Sequence, residues 1–488
     1  MASVDWTAII PLAAPLFALL GAGVAILLLA PFAKRIFPVL ILLVSALSLV
    51  YAFFAAWAGW MSGAPLSLGL LLFDRMAYGF DFVLILAALL TIFLSKDYLP
   101  EEHIKDGEYY ALILFATAGG MIIAHAGDLM VLFLGLEVAS LSAYILSGMK
   151  RNVVKSYEAS LKYFIMGSIA SGFFLYGIAM AYGAAGSTSF TALQKLTIPP
   201  AEPILVALAI ALILIGVGFK IAAVPFHLWS PDVYEGAPTS VTAYMATAIK
   251  TAGFAALIRI VLAVGHIPQI PWTTVLSTLA VLTMTVGNLV AIRQHNIKRM
   301  LAYSSIAHAG YALVGVAAAL QKNVMAESTL AAVLFYLFAY SLMTIGAFAV
   351  VIAIGRRGDQ AEELTDYAGL AEKHPYLAAA MALFLFSLTG MPPTIGFVGK
   401  FYLFSGAIEA GLYGLVIVGV LNSVVSAYYY LGPIVKMYFQ KRRDYALPPL
   451  SYTLVATIFL CVFVILYLGL FPSNVFLMAR ESVREIVF

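Results

Sequence analysis

Six Lys and Arg residues and two Glu residues fall inside the long apolar stretches of this 488-residue sequence. They are Glu137, Glu158, Lys162, Lys220, Lys250, Arg259, Lys400 and Lys436. A charged side chain near the centre of a bilayer costs at least about 2.5–3.5 kcal/mol, so it usually faces a wet cavity or a partner. Lysine loses its proton more readily when burial removes the hydration of its ammonium group. A row of lysines at this depth is therefore suited to proton transfer.

Two of these lysines lie close to residues that should interrupt a helix. Lys220 precedes Pro225 by five positions, and Lys400 follows the segment from Gly390 to Pro393. Proline breaks a helix because it lacks the backbone N–H and clashes with the preceding turn. Paired broken helices in the two halves of a membrane protein indicate an ion or substrate site. The lysine precedes one break and follows the other, so the two segments do not match residue by residue.

Four residues are assigned to a proton relay on this basis. Lys220, Lys250 and Lys400 exchange protons, and Glu137 favours the charged form of Lys220 until it moves away or is neutralised. His308 is a possible further relay residue, since its helix also carries several hydroxyl groups. Those hydroxyls belong to Tyr303, Ser304, Ser305 and Tyr311.

The remaining polar residues in these stretches have simpler interpretations beside a functional one. Lys162 follows Glu158 by four positions, so the two are possible relay residues or merely a local helix pair. His227, just after Pro225, is either a relay residue or a structural hydrogen-bonding group. Three charged residues are expected nearer the membrane surface: Arg259 and Lys436 as snorkelling anchors, and Asp81 as an interfacial residue.

The elements that must position these residues are membrane-spanning helices. Hydrophobic residues make up 63% of the chain and charged residues 10%, against about 25% charged in soluble domains. The stretch 7–30 carries no charge, and a helix needs roughly 20 such residues to cross a bilayer. No Lys or Arg precedes this stretch, so it is expected to be a retained span and not a signal peptide. Runs of this length are too long for barrel strands, which predicts an all-α membrane protein.

Fourteen spans are predicted, and their order contains a repeat. The predicted limits are 7–30, 36–60, 77–96, 109–126, 129–148, 156–184, 203–224, 239–265, 272–292, 299–320, 328–355, 375–408, 411–439 and 451–471. Spans 4–8 and 9–13 form two five-helix repeats, and because five is odd the second repeat is inverted in the membrane. The broken helices of spans 7 and 12 then occupy the same position, the fourth, in their repeats. The predicted divisions are 1–108 (spans 1–3), 109–265 (first repeat), 266–439 (second repeat) and 440–488 (span 14 and tail).

Basic residues in the loops predict the orientation, since cytoplasmic loops are enriched in Lys and Arg. Odd-numbered loops hold Lys34, Arg35, Lys96, Lys105, Lys150, Arg151, Lys155, Arg293, Lys298, Arg299, Arg356, Arg357, Lys373, Lys441, Arg442 and Arg443. Even-numbered loops and the C-terminal tail hold Arg75, Lys195, Lys322, Arg480 and Arg484. The odd-numbered loops are therefore expected in the cytoplasm and both termini on the other side.

Composition also excludes several functions for this chain. The net charge of +3 gives no reason to expect nucleic-acid binding. The single cysteine, Cys461, cannot form an intrachain disulfide or a Cys-based iron–sulfur site. The seven histidines show no metal-ligand spacing, and no glycine-rich nucleotide loop is present. Any redox cofactor is therefore expected in partner subunits.

Three long motifs resemble the antiporter-like subunits of bacterial respiratory complex I. They are GFKIAAVPFHLWSPDVYEGAP (218–238), KRMLAYSSIAHAGY (298–311) and SLTGMPPTIGFVGKFYLF (387–404). Lys400 distinguishes the chain from subunit M and from its counterpart in the related cation/proton antiporters, which typically carry glutamate there. About 17 residues follow span 14, so the long lateral helix of subunit L is not expected. The segment ELTDYAGL (363–370) also resembles subunit N, which is the group most similar to this chain.

The resemblance implies a proton-translocating subunit of an NADH:quinone oxidoreductase, driven by quinone reduction in other subunits. It implies an ion pair between Glu137 and Lys220, a central connecting role for Lys250 and an outer terminal role for Lys400. The implied cofactors are FMN, iron–sulfur clusters and quinone, all in partner subunits and none bound by this chain. The implied partners are subunits M, K and J and the lateral helix of subunit L, in the bacterial inner membrane.

Two other functions stay open from the sequence alone. One is a subunit of a multi-subunit cation/proton antiporter without redox partners, against which Lys400 argues weakly. The other is a structural or solute-transport protein whose charges only hold helices together.

Overall fold

The computed structural model of the chain describes residues 6–30, 37–63, 66–67, 69–151, 153–195, 203–267, 270–321, 327–355, 361–441 and 450–484. These residues form helices almost throughout, with one short hairpin of strands β1 (Leu66–Ser67) and β2 (Leu72–Phe73). The first helices are α1 (Trp6–Leu29), α2 (Phe37–Ser62) and α3 (Arg75–Glu101).

Two groups of helices follow, in the parts of the chain where the two repeats are predicted. The first group is α4 (Asp106–Ala124), α5 (Leu129–Ser147), α6 (Val154–Ala185), the short α7 (Phe190–Gln194), α8 (Pro203–Ile221), α9 (Trp229–Gly236), α10 (Thr239–Tyr244), a π-helical turn (Met245–Ile249) and α11 (Lys250–Val264). The second is α12 (Trp272–Ala291), α13 (Ile297–Ala319), α14 (Glu327–Ile354), a 3₁₀ turn (Leu364–Tyr367), α15 (Leu370–Lys373), α16 (Pro375–Thr389), α17 (Ile395–Glu409) and α18 (Tyr413–Phe439). Helices α19 (Tyr452–Leu470) and α20 (Ser473–Arg484) complete the described fold.

The number of spans agrees with the sequence prediction. Thirteen described helices, with α10, the π-helical turn and α11 counted as one, are long and apolar enough to cross a membrane. The remaining span is divided between α16 and α17, each 15 residues long. Each half covers only about 22 Å, which is less than the roughly 30 Å hydrocarbon layer. The prediction of an all-α membrane protein with about fourteen spans is confirmed.

Both predicted breaks are present. Helix α8 ends at Ile221, and α9 begins only at Trp229, after a segment that contains a cis peptide bond before Pro225. Helix α16 ends at Thr389 and is followed by Gly390 with a positive φ of 91°, a conformation that glycine adopts without steric cost. Spans 7 and 12 are therefore discontinuous, as predicted.

The first two helices of each repeat approach each other closely at a glycine. A Cβ atom at Gly119 in α4 would lie 2.5 Å from the backbone nitrogen of Ala139 in α5. A Cβ atom at Gly287 in α12 would lie 2.7 Å from the backbone nitrogen of Ala307 in α13. Both groups of helices thus begin with a tight helix pair and have a break in their fourth span.

Part of the orientation prediction lies outside the described residues. This applies to both ends of the chain and to seven of the basic loop residues, namely Lys34, Arg35, Lys322, Arg356, Arg357, Arg442 and Arg443. Two basic residues assigned to loops are buried within the helical bundle. Lys150 is 3.0 Å from the Glu102 carboxylate, and Lys298 is the second residue of α13. The positive-inside pattern therefore includes residues that pack inside the protein.

Candidate proton-transfer site

The lysine of the first broken helix is enclosed by aromatic side chains. Lys220 lies in the last turn of α8 and is 4% exposed. Its Nζ atom donates a hydrogen bond to the hydroxyl of Tyr144, at 3.2 Å. The same atom lies 5.1–5.6 Å from the ring centroids of Tyr144, Tyr163 and Phe219, within the range of cation–π attraction. The ammonium group thus has a polar partner and an aromatic wall, all uncharged.

The implied ion pair between Glu137 and Lys220 is not formed among the described residues. The Glu137 carboxylate instead accepts a hydrogen bond from the Ser171 hydroxyl, at 2.5 Å. Glu137 and Tyr144 are seven residues apart on α5, so they lie on the same face two turns from each other. The hydrogen-bond partners of the two charged groups are thus Ser171 for Glu137 and Tyr144 for Lys220. An electrostatic interaction between Glu137 and Lys220 remains, and their pairing stays a prediction.

The position of Tyr144 depends on a glycine in the neighbouring helix. A Cβ atom at Gly167 in α6 would lie only 2.0 Å from the Tyr144 hydroxyl oxygen. Glycine at this position therefore leaves the space that the hydroxyl occupies beside Lys220. Nothing in the sequence around Gly167 marks it as part of a site, since its role depends on a contact between helices.

The second lysine connects the two repeats. Lys250 directly follows the π-helical turn Met245–Ile249 and is 2% exposed. Its Nζ atom donates hydrogen bonds to the carbonyl oxygen of Ser305, at 2.6 Å, and to the hydroxyl of the same residue. Single π-helical turns are frequent at functional sites. Lys250 in the first repeat is thus fixed against the middle of α13 in the second.

His308 is the centre of a buried hydrogen-bonded group one turn along α13 from Ser305. Its Nδ1 atom lies 2.7 Å from the Tyr336 hydroxyl, and its Nε2 atom lies 3.1 Å from the Tyr430 hydroxyl. Tyr430 is also hydrogen-bonded to Ser304. Tyr336 and Tyr430 belong to α14 and α18, so sequence reasoning about α13 alone did not find them.

The third lysine binds the end of the other broken helix. Lys400 is 5% exposed. Its Nζ atom donates to the carbonyl oxygens of Leu388 and Thr389, at 3.1 and 2.8 Å, and to the Ser423 hydroxyl, at 2.9 Å. It also lies 4.5 Å from the Tyr311 ring centroid. The carbonyl groups at a helix C-terminus carry partial negative charge, which stabilises the ammonium form of this lysine.

The lysine side chain takes a similar position in the two broken helices, although it comes from a different half-helix in each. Lys220 lies in the last turn of α8. Lys400 starts from α17 but reaches back to the last carbonyl groups of α16. In both repeats the lysine side chain is therefore associated with the C-terminal end of the first half-helix. This explains why the lysine precedes one break and follows the other.

Lys162 and Glu158 form the predicted local pair but lie outside the buried row. Their charged atoms are 2.5 Å apart, and the Lys162 Nζ atom is also 2.8 Å from Asp232. The side chains of Lys162 and Glu158 are 41% and 56% exposed. His227 is buried in the break of span 7, and its Nδ1 atom has no hydrogen-bond partner among the described residues.

Two residues expected near the membrane surface are instead buried in the protein. Arg259 is fully buried, and its two terminal nitrogens each lie 2.7 Å from a carboxylate oxygen of Asp74. Asp81 is also fully buried and lies 2.8 Å from the His125 ring. The expectation of snorkelling is wrong for Arg259, because Asp74 holds its guanidinium group inside the protein. The interfacial position of Asp81 stays a prediction. Lys436 is partly exposed in the last turn of α18, and its anchoring role stays a prediction.

No cluster of metal-ligating side chains occurs in the described part of the chain. Within it, no three His, Cys, Asp or Glu residues are placed to hold a metal ion. Cys461 is buried in α19.

Residues 126–426 match the family described as "NADH:quinone oxidoreductase/Mrp antiporter, TM". The chain is 48% identical to NADH-quinone oxidoreductase subunit N of Trichlorobacter lovleyi over 402 residues, which cover 82% of this chain and 81% of that one. It is 45% identical over 418 residues to NADH-quinone oxidoreductase subunit N 1 of Sorangium cellulosum, covering 83% and 82%.

Solved structures show the same similarity. A chain of respiratory complex I from Thermus thermophilus with bound aureothin is 36% identical, with a TM-score of 0.81 over 95% of this chain and 98% of that one. A chain of the Mrp complex from Dietzia sp. DQ12-45-1b has a TM-score of 0.83 over 97% of each chain at 24% identity, which shows a shared fold. The chain therefore belongs to the NADH:quinone oxidoreductase/Mrp antiporter family, and within it to the group of NADH-quinone oxidoreductase subunits N.

Proposed function

We propose that Lys220, Lys250 and Lys400 carry protons through this subunit, with Glu137 controlling Lys220 and His308 linking Lys250 to Lys400. The chain is an antiporter-like, proton-translocating membrane subunit of an NADH:quinone oxidoreductase. The observation that supports the residue assignment is the environment of the three lysines. They are 2–5% exposed, and their hydrogen-bond partners among the described residues are all uncharged.

Such an environment makes the charge on each lysine easy to remove. Within the described residues, none of the three ammonium groups lies within ion-pair distance of a carboxylate. A buried charge without a counter-ion is costly, so the neutral amine competes with the ammonium form. Each lysine is thereby able both to accept and to release a proton. Glu137, two helical turns from Tyr144, adds negative charge that favours the ammonium form of Lys220.

The groups between Lys250 and Lys400 suit stepwise proton transfer. Ser305 contacts Lys250, and His308 lies three residues further along α13. A neutral imidazole and a tyrosine hydroxyl each have one donor and one acceptor. They accept a proton on one side and release another on the opposite side. Ordered water would complete the steps that exceed hydrogen-bond distance.

The redox components of the complex are proposed to lie in other subunits. FMN, the iron–sulfur clusters and quinone are held by partner subunits, and quinone reduction there supplies the free energy for transfer here. Subunits M, K and J and the lateral helix of subunit L pack against this chain. The complex lies in the bacterial inner membrane, with the odd-numbered loops of this chain in the cytoplasm.

Replacing the lysines by methionine tests the assignment, because methionine keeps much of the side-chain volume without a titratable group. Lys250→Met and Lys400→Met, introduced separately into the purified complex in vesicles, should each lower NADH-driven proton uptake at least about tenfold. Lys436→Met is the matched control, because Lys436 is a partly exposed lysine outside the relay, and it should pump at the parent rate. Parent-rate pumping by the Lys250→Met/Lys400→Met double variant would disprove the assignment.

A further inference from the structure

We infer that Lys298 and Glu362 form a proton-uptake gate that delivers protons to Lys250. The gate lies where α9 and α13 meet at the end of the bundle. This inference rests on the proposed function of Lys250 and adds a route by which that lysine is reprotonated.

Lys298 is a buried lysine that contacts the Glu362 carboxylate. It is 1% exposed, and its Nζ atom donates to the carbonyl oxygen of Ala237, at 2.8 Å. The same atom lies 3.2 Å from the Glu362 carboxylate, whose side chain is 18% exposed. A lysine hidden from solvent is thus joined to a carboxylate that solvent reaches. This is an arrangement in which a proton taken up at the surface passes to a buried amine.

Glu362 is held in this position by the backbone around it. Its carbonyl oxygen accepts a hydrogen bond from the backbone N–H of Ile297, at 2.7 Å, and its carboxylate accepts one from the Asn296 side chain, at 3.0 Å. Asn296 and Glu363 also form an antiparallel bridge. The segment before α15 is therefore fixed against the start of α13, and the contact between Glu362 and Lys298 is defined by main-chain pairing.

A cavity lined by charged side chains lies beside this pair, on the surface of the protein. It has a volume of about 140 Å³ and is lined by Lys155, Glu158, Ala159, Asp232, Glu235, Gly236 and Arg299. This is enough space for several water molecules, and the three carboxylates offer them acceptors. Gly236 lines the cavity, and the next residue, Ala237, carries the carbonyl group that binds Lys298. Lys298 is therefore directly behind the cavity wall.

On the inner side, α13 leads from Lys298 to the relay. Lys298, Ser305 and His308 are separated by seven and three residues, which places them along one face of the helix. Seven residues span about 10 Å along the axis, so an intermediate group is needed. Tyr234 on α9, which packs against α13, has a buried hydroxyl close to the hydroxyls of Ser305 and Ser230. We assign this hydroxyl as the intermediate group, with water completing the remaining distance to Lys298.

The transfer conserves protons at each step. The protonated carboxyl group of Glu362 gives one proton to the neutral amine of Lys298, and the carboxylate that is left takes up one hydrated proton from the cavity water. The resulting ammonium group releases one proton inward, through the Tyr234 hydroxyl and water, to the neutral amine of Lys250. Lys298 then returns to its neutral form. One proton has moved from the cavity to Lys250, and the free energy comes from the redox reaction of the complex.

The competing explanation is that the ion pair between Lys298 and Glu362 only holds α13 in place. The variant Lys298→Arg distinguishes this structural role from proton uptake. Arginine keeps the positive charge and the hydrogen-bonding capacity but does not deprotonate in proteins. We expect the complex with Lys298→Arg to assemble at the parent level and to lose proton pumping at least about tenfold. Lys150→Arg is the matched control, because Lys150 is a buried lysine 3.0 Å from Glu102. The control should pump at the parent rate.

Each outcome supports or overturns the inference. Parent-rate pumping with Lys298→Arg would show that Lys298 only fastens the helix. If the arginine variant does not assemble, Glu362→Gln is the second test, and parent-rate pumping by that variant overturns the inference. Loss of pumping in Lys250→Met together with full pumping in Lys298→Arg would refute the gate alone. Full pumping in Lys250→Met would refute the proposed relay itself.

Discussion

Asp74→Ala should be among the most destabilising single substitutions in this chain. Asp74 is 2% exposed and binds both terminal nitrogens of the fully buried Arg259, each at 2.7 Å. Removing one member of a buried ion pair costs about 3–5 kcal/mol, because the other charge stays buried without a partner. Asp74 also caps α3 by accepting from the Ala77 N–H, at 2.8 Å, and losing an N-cap costs about 0.5–2 kcal/mol. The expected total is about 3.5–7 kcal/mol.

Three variants separate these two contributions. Asp74→Asn keeps a capping oxygen and loses the charge, so it should be less harmful than Asp74→Ala. The double variant Asp74→Ala/Arg259→Met removes the unpaired guanidinium group, so it should be more stable than Asp74→Ala alone. Unfolding of a membrane complex is not a two-state process. The measurement is therefore the temperature at which half of the purified complex has dissociated, compared across the three variants and the parent.

The order of these dissociation temperatures shows whether the unpaired guanidinium group causes the instability. If the double variant dissociates at the same temperature as Asp74→Ala, or at a lower one, the unpaired charge is not the cause of the instability. Proton pumping per NADH should be unchanged in the Asp74→Asn complex that does assemble, because the pair contacts none of the relay lysines.

Two glycine substitutions test the positions of the relay lysines. Gly167→Ala would place a Cβ atom 2.0 Å from the Tyr144 hydroxyl oxygen. It should displace this hydroxyl from Lys220 and lower the pumping rate several-fold. Gly172→Ala in the same helix is the control and should have no effect, because a Cβ atom there meets no atom within 4 Å. Gly390→Ala adds a Cβ atom 2.9 Å from the Cδ atom of Lys400 at a φ of 91°, and this backbone strain costs of order 1–3 kcal/mol. It should lower both the stability of the complex and its pumping rate, and pumping at the parent rate would contradict the close packing described for Lys400.

Local signals in the sequence were sufficient for the architecture of the chain. Apolar stretches predicted the spans, and the prolines near 225 and 392 predicted where two helices break, because proline acts on its own turn of helix. The burial of Lys220, Lys250 and Lys400 also followed from their position within apolar stretches. Each of these predictions depends on residues close together in the chain.

The partners of the charged groups could not be predicted in the same way. Asp74 and Arg259 are 185 residues apart, and no local pattern connects them. The contact between Tyr144 and Lys220 depends on the rotation of α5 against α8, which the sequence of either helix leaves undetermined. Lys298 was assigned to a loop because it is near a helix terminus, whereas the pairing of Glu362 with the start of α13 buries it.

The association of Lys400 with backbone carbonyl groups makes it a different kind of site from Lys220. A carbonyl group has the same dipole at every pH and in every redox state, so it cannot report the protonation of a neighbour. The two carbonyl contacts of Lys400 join α17 to the end of α16, so movement of one half-helix against the other changes them. Lys220 has the titratable Glu137 nearby, whose charge acts on it without any movement. The two ends of the lysine row therefore differ in kind: one contact depends on the separation of two half-helices, and the other depends on the charge of a side chain.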